Sequence, residues 1–170
     1  MNFPLFIELE GRRCLVVGAG PVARRKAAAL GEFGAKVDMV APELNHPFRE
    51  ADLDGAALVV AATDDGELNA RVSALARARS IPVNVVDDPA RCTFFFPAIF
   101  RKGPLVAAFS TGGTLPVAAR MMRDAFAPLA TDRFAREVER LGAERDGLKR
   151  RVQDPAARKA VYERALGGLI

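Results

Sequence analysis

The chain has 170 residues, half of them apolar and 27% charged, the ordinary composition of one globular domain with a real core and room for a small appendage. Its longest apolar runs, "AALVVAA" and "PLVAAF", fall far short of the ~20 residues that cross a bilayer, and Glu8 and Glu10 interrupt any signal-peptide core, so a cytoplasmic location is expected. Much of the net charge of +4 comes from basic residues interleaved with acids past residue 120, a pattern that speaks against nucleic acid and for at most a polyanionic small molecule.

"RCLVV" at residues 13–17 predicts a first strand, and "GAGPVARRKAAALGEFGA" a following helix with Gly34 as its stop. "KVDMV" then predicts a second strand, completing a βαβ unit. "AALVVAAT" is a third strand, leading through Asp64 and Asp65 into the helix "GELNARVSALARAR", and "PVNVV" is a fourth. Two apolar runs, "TFFFPAIF" and "PLVAAFS", are split by the turn "RKGP". A helix is expected from near Thr114 through "TLPVAARMMRDAFAPLA", with Pro116 in its first turn. Phe134, Val138, Leu141, Leu148 and Val152 share helical spacing, Asp154-Pro155 breaks that helix, and a last one runs towards Ile170.

Strands alternating with helices imply an α/β fold with a doubly wound parallel sheet, followed by a helical C-terminal part. Only residues 41–57 separate the second and third strands, too few for an extra parallel strand with its crossovers. The usual third strand of such a sheet is therefore expected to be missing, with "KVDMV" at the edge, where Asp38 is tolerable.

The segment "GAGPVA" reads G-x-G-x-x-A, with Gly18, Gly20 and Ala23 between a strand and a helix. Gly18 allows the tight turn, Gly20 lets a pyrophosphate approach, and Ala23 permits close helix–strand packing. The acid expected at the end of the second strand is absent, with Glu43 just beyond Val40-Ala41-Pro42, and no Arg is close enough to mark a 2′-phosphate pocket, although Arg24 and Arg25 are on the helix; NAD is favoured over NADP. Cys14 and Cys92 stand alone, with no metal spacing, and are expected as reduced thiols. "VNVVDDP" ends a buried strand on Asp87 and Asp88. An Asp-Pro turn is one reading of that pair; carboxylates facing a ligand at the strand tip are the other.

Four stretches in order, "FPLFIELEGRRCLVVGAGPVARRKAAAL", "VVAATDDGELNARV", "VNVVDDPARCTFFFPAI" and "PLVAAFSTGGTLPVAARMMR", resemble the precorrin-2 dehydrogenase family, the N-terminal module of siroheme synthases, over about residues 3–128. The resemblance implies oxidation of precorrin-2 to sirohydrochlorin with NAD, insertion of iron by some members, and a homodimer. It implies a Rossmann-like NAD-binding domain over 1–113 and a helical dimerisation and C-terminal region over 114–170. By the same resemblance, Pro21, Val22, Pro42 and Glu43 contact the cofactor and Asp87 is the catalytic aspartate, a general base while hydride leaves to the nicotinamide, with Asp88 left to the turn. Ser110, Thr111, Gly112 and Gly113 match a loop at the tetrapyrrole site, with Thr111 in place of a serine.

Several positions keep two readings. Asp64 and Asp65 cap the helix that follows them, with Thr63 near the cofactor as the sharper reading. Gly112 and Gly113 present N–H groups to a carboxylate or form an ordinary loop. Phe94, Phe95 and Phe96 are expected in core or interface packing, and His46 in a solvent-facing loop with nothing to orient it. Two rivals to the dehydrogenase are a sirohydrochlorin chelatase without that activity and a non-catalytic NAD-responsive module. The pathway served is siroheme or cobalamin synthesis.

Overall fold

The structure, a computed structural model that describes residues 2–169, divides into two compact units, Met1–Phe96 and Pro97–Ile170. In the first, β1 (Arg13–Val17), α1 (Pro21–Gly31), β2 (Lys36–Val40), β3 (Leu58–Ala61), α2 (Gly66–Ala78) and β4 (Val83–Val85) follow in chain order. The four strands form one parallel sheet in the order β2–β1–β3–β4.

Alternate residues of a strand point to opposite faces, so a sheet covered on both sides needs apolar residues throughout. Leu15, Val17, Val59 and Ala61 face Val72 and Ala76 of α2. Their neighbours Cys14, Val16, Leu58 and Val60 face Ala23 and Leu30 of α1. Each fully buried Val or Leu contributes about 1.5–3 kcal/mol, against about 0–1 kcal/mol for an exposed ion pair. The two apolar layers therefore hold the strand ends in place.

The third strand is absent, as the short 41–57 segment implied. Two single-turn 3₁₀ helices, Pro42–Leu44 and Glu50–Leu53, span the gap. Fully buried Leu53, with half-buried Phe48, closes the α2-side face of the sheet. β2 is thus an edge strand. Asp38 on it accepts a hydrogen bond from Arg13 Nε at 2.6 Å, and the same guanidinium donates to the Asp52 and Asp54 carbonyls at 2.8 Å each. The expected helix stop at Gly34 falls later than the observed one. α1 ends at Gly31, and Gly34 (φ +77°) instead completes the reversal into β2, in the left-handed conformation that glycine adopts without strain.

The second unit joins an antiparallel hairpin, β5 (Ala98–Lys102) with β6 (Leu105–Phe109), to three helices, α3 (Pro116–Phe126), α4 (Asp132–Arg151) and α5 (Pro155–Leu166). Phe126 of α3 lies edge-on to Phe100 at 5.4 Å and tilted against Phe109 at 5.6 Å. Those ring contacts tie the hairpin to the helices. The compact units therefore meet at Phe96–Pro97, and the division expected after residue 113 falls inside the second unit. α3 ends at Phe126, and the chain turns over residues 127–130 where a longer helix was expected. α4 carries the expected apolar stripe, with Leu141 buried and Phe134, Val138 and Leu148 half-buried. Thr131 caps α4 by accepting the Phe134 N–H at 3.1 Å, and Asp154 caps α5 through the Ala156 and Ala157 N–H groups. Among the described residues no helix is long and apolar enough to cross a membrane.

Candidate functional site

Register brings the four strand ends level. Val17 pairs with Val40 and with Ala61, and Ala61 pairs with Val85. The loops that follow these residues leave the sheet from one edge, the carboxyl edge, where open parallel sheets bind ligands. Gly18, Gly20, Pro42, Glu43, Thr63 and Asp87 lie on those loops, and Pro21 and Val22 open α1. Ser110–Gly113 belongs to the second unit.

The two glycines of the first loop have different surroundings. Gly18 is buried with φ +123°, and its N–H donates to the Val40 carbonyl at 2.9 Å. A Cβ there would overlap the Ala62 carbonyl oxygen. Gly20 is exposed with φ −69°, and a Cβ there would meet nothing within 4 Å. It is the N-cap of α1, whose first turn has no side-chain cap and no acidic residue. Those N–H groups and the positive end of the helix dipole are left to an anion. Ala23 is fully buried against the sheet, the close packing the motif demands.

After β2, Pro42 and Glu43 are exposed on a 3₁₀ turn closed by Asn45 at φ +55°. After β3, Thr63 is bound to the buried Asn69. Its Oγ1 donates to Asn69 Oδ1 at 2.8 Å, and Asn69 Nδ2 donates back to the Thr63 carbonyl at 2.8 Å. Asp65 is the α2 cap, accepting the Glu67 and Leu68 N–H groups at 2.9 and 3.0 Å, while Asp64 takes no part in the cap. A cleft of about 640 Å³ opens beside this loop, lined among others by Asp64, Asn69, Val86, Asp88 and Arg91.

The paired acids after β4 separate cleanly. Asp88 caps the 3₁₀ turn Pro89–Arg91, accepting the Arg91 N–H at 3.2 Å, and it pairs with the Arg91 guanidinium. The hydrogen bond from Arg91 holds its carboxyl below the usual aspartate range. Asp87 is exposed and adopts φ +59°, a left-handed conformation uncommon outside glycine but tolerated by Asp and Asn. Among the described residues no hydrogen bond or ion pair engages its carboxylate. Asp88 is the turn residue; Asp87 is open to a ligand.

The chain then folds back along β4. The Cys92 thiol donates to the Val85 carbonyl and its sulfur accepts the Val85 N–H, both at 3.2 Å. Thr93 Oγ1 accepts the Val83 N–H at 2.8 Å, and Asn84 Nδ2 donates to the Phe94 carbonyl at 3.1 Å. Both cysteines are free thiols, as expected. Phe94 and Phe96 pack against the α1-side core with ring centroids 5.4 Å apart. Over Phe96 sits Lys26 of α1, its Nζ 3.7 Å from the ring centroid. Burial and the neighbouring Arg25 pull the Lys26 pKa down, and the charge of Asp87 acts in the opposite sense. Sequence reasoning missed Lys26, because inside "ARRKAAAL" it reads as one more residue of a solvated helix face and its ring partner lies far along the chain.

In the second unit, Gly112 and Gly113 have φ of +64° and +85°. The Gly112 N–H donates to Ser110 Oγ at 3.1 Å, and the Leu115 N–H to Thr111 Oγ1 at 3.0 Å. His46 is exposed as expected, but it does have an orienting group, since its Nε2 lies 3.1 Å from Asp52 Oδ1. Among the described residues no group of three or more His, Cys, Asp or Glu is arranged to hold a metal ion.

Comparison with known proteins places this geometry. The chain is 42% identical to the siroheme synthase of Methylobacillus flagellatus over 99% of its own length and 40% of the relative's. It is 44% identical to that of Pseudomonas entomophila over 98% and 40%. The chain thus spans about 40% of the length of these curated relatives. A solved structure of SirC, precorrin-2 dehydrogenase, superposes with a TM-score of 0.65 at 24% identity, covering 94% of this chain and 86% of that one, and so shares its fold. The family model described as "Putative NAD(P)-binding" matches residues 5–98, the stretch that holds the parallel sheet and its glycine loop. That stretch is more than half of the protein, and the chain belongs to this NAD(P)-binding family.

Proposed function

We propose that the protein oxidises precorrin-2 to sirohydrochlorin with NAD as hydride acceptor, a step of siroheme synthesis, and that Asp87 is the general base. The observation that carries this reading is the separation of the two strand-tip acids, with Asp88 tied to Arg91 and Asp87 unengaged in a left-handed conformation. Siroheme synthases match the chain over nearly its whole length, and the fold is that of a precorrin-2 dehydrogenase, which supports the substrate class.

The residues fit a dinucleotide. The uncapped first turn of α1 beside the open Gly20 takes a pyrophosphate, with Pro21 and Val22 at its side. Pro42, Glu43 and Thr63 follow the neighbouring strands, and an exposed Glu43 carboxylate suits ribose hydroxyls and disfavours a 2′-phosphate. Bound NAD supplies a two-electron acceptor for hydride. Asp87 takes the proton that the substrate loses as hydride leaves from carbon, so two hydrogens depart as one hydride and one proton. Ser110, Thr111, Gly112 and Gly113 form a substrate loop that its own hydroxyls hold in shape. The working unit is a homodimer in the cytoplasm.

Anaerobic incubation of precorrin-2 with NAD, followed by absorbance, tests the reading. Sirohydrochlorin and NADH should accumulate together in equal amounts. Sirohydrochlorin that stays absent with the cofactor bound would leave the two rivals, of which iron insertion into supplied sirohydrochlorin would favour the chelatase and no insertion the non-catalytic module.

A further inference from the structure

We propose that Lys26 is a substrate-binding residue, its ammonium seated on the Phe96 ring to receive an acidic side chain of the tetrapyrrole. The proposal rests on the reading of the site given above.

An ammonium has three N–H donors and no acceptor. Among the described residues that of Lys26 makes no hydrogen bond or ion pair. A lysine on a solvated helix face would extend into water, whereas Lys26 is half-buried and folded over a ring at 3.7 Å. Stacking on an aromatic face attracts the charge but leaves the donors unfilled. A partly desolvated cation with unfilled donors is costly. The partner that would remove this cost is an anionic oxygen, and burial has already made the ammonium less stable than it would be in water.

The position identifies whose oxygen it is. Pyrophosphate would offer the same chemistry, but its place is the first turn of α1, after Gly20. Lys26 lies further along the helix, over Phe96 in the stretch that follows Phe94 beside β4, and the Asp87 charge acts on it. A polycarboxylic tetrapyrrole whose reacting edge meets Asp87 carries carboxylates on its rim, and one of them would complete the ammonium. Phe96 keeps the cation aimed before substrate arrives, so little side-chain freedom is lost on binding.

The test is a fluorescence titration with a free octacarboxylic porphyrin and with its octamethyl ester, beside calorimetry with NAD, on the parent, Lys26→Met, Lys26→Arg and Phe96→Leu. Lys26→Met should weaken the free acid about tenfold or more and leave the ester and NAD unchanged. Lys26→Arg should keep most of the affinity, and Phe96→Leu, with the charge present but unseated, should fall between. If Lys26→Met is unfolded by circular dichroism, the Arg and Leu variants decide the matter by the same readings. Equal porphyrin affinity in the parent and Lys26→Met would overturn the proposal and leave the dehydrogenase reading standing. A loss of NAD affinity alone would assign the cation to the dinucleotide and also overturn it. A parent that binds no porphyrin would bring down both.

Discussion

Gly18 and the Ala62 carbonyl approach so closely that no side chain fits between them. A Cβ on Gly18 would overlap the Ala62 oxygen and lie 2.8 Å from its carbonyl carbon, at a φ of +123° that side chains avoid. Two residues on, Gly20 has ordinary φ and open space. The loop thus contains one glycine that the fold requires and one that it does not. Gly18→Ala should lose about 2 kcal/mol or more from strain and overlap together, read as a melting temperature lower by roughly 4–8 °C. Gly20→Val should stay folded, melting slightly lower because Val is a poorer helix cap, and fail to bind NAD in calorimetry, because its branched side chain fills the space the pyrophosphate needs. Undiminished affinity in folded Gly20→Val would remove the phosphate-loop assignment.

Asn69 gives a second prediction. It is 8% exposed, and its amide both accepts from Thr63 Oγ1 and donates to the Thr63 carbonyl. Asn69→Ala leaves the Thr63 carbonyl without its partner, while Oγ1 keeps its bonds to Asp65, at about 1–3 kcal/mol for an unsatisfied buried group. The variant should melt several degrees lower. NAD affinity should fall with it, since the loop after β3 then loses its anchor beside Gly18. A variant that melts lower with full NAD affinity would show that Thr63 does not border the cofactor.

Much of this was legible locally. Strand and helix order, the missing strand, the Pro116 and Asp154-Pro155 boundaries and the glycine loop all follow from spacing within a few residues. Gly34 was misplaced because a glycine after a helix marks either its stop or the end of the reversal, and only the pairing of β2 with β1 decides which. The domain range 1–113 that the resemblance implies takes in the hairpin β5–β6. The hairpin's assignment depends on Phe126 reaching Phe100 and Phe109, contacts with no local signature. Lys26 over Phe96 and Asp52 beside His46 were missed for the same reason. Asp87 and Asp88 are adjacent and chemically identical, so the resemblance and not spacing separates them, and the cap at Arg91 is the physical difference.

Assembly is open to a direct test. On α3 and just before it, Leu115, Val117, Met121 and Met122 are 55, 49, 67 and 59% exposed, an apolar face that a monomer would leave in water. The protein should scatter light as a homodimer at tens of micromolar, an order-of-magnitude choice for a stable interface. Met121→Glu together with Met122→Glu should yield a folded monomer, because neither side chain is buried within its own chain. A parent that is monomeric at that concentration would refute the dimer.

The last prediction separates the two acids by function and by pH. Asn tolerates the left-handed conformation as well as Asp does, so Asp87→Asn should keep the φ of +59°, the melting temperature and the NAD affinity. It removes the basic oxygen, and dehydrogenase activity should fall by about 10² to 10⁴, the usual contribution of a general base. Asp88→Asn should act on stability instead, because it loses the pairing with Arg91 and weakens the cap of the 3₁₀ turn. The Asp88 carboxyl is held below its ordinary value in the folded state. Its contribution is therefore complete above the unfolded aspartate pKa of about 3.9 and is lost as pH falls through the lower folded value. The parent should melt slightly above Asp88→Asn at neutral pH, and the gap should close in acid below the ordinary aspartate range. Turnover of precorrin-2 at the parent rate by both variants would reduce the pair to a turn and remove Asp87 from the mechanism.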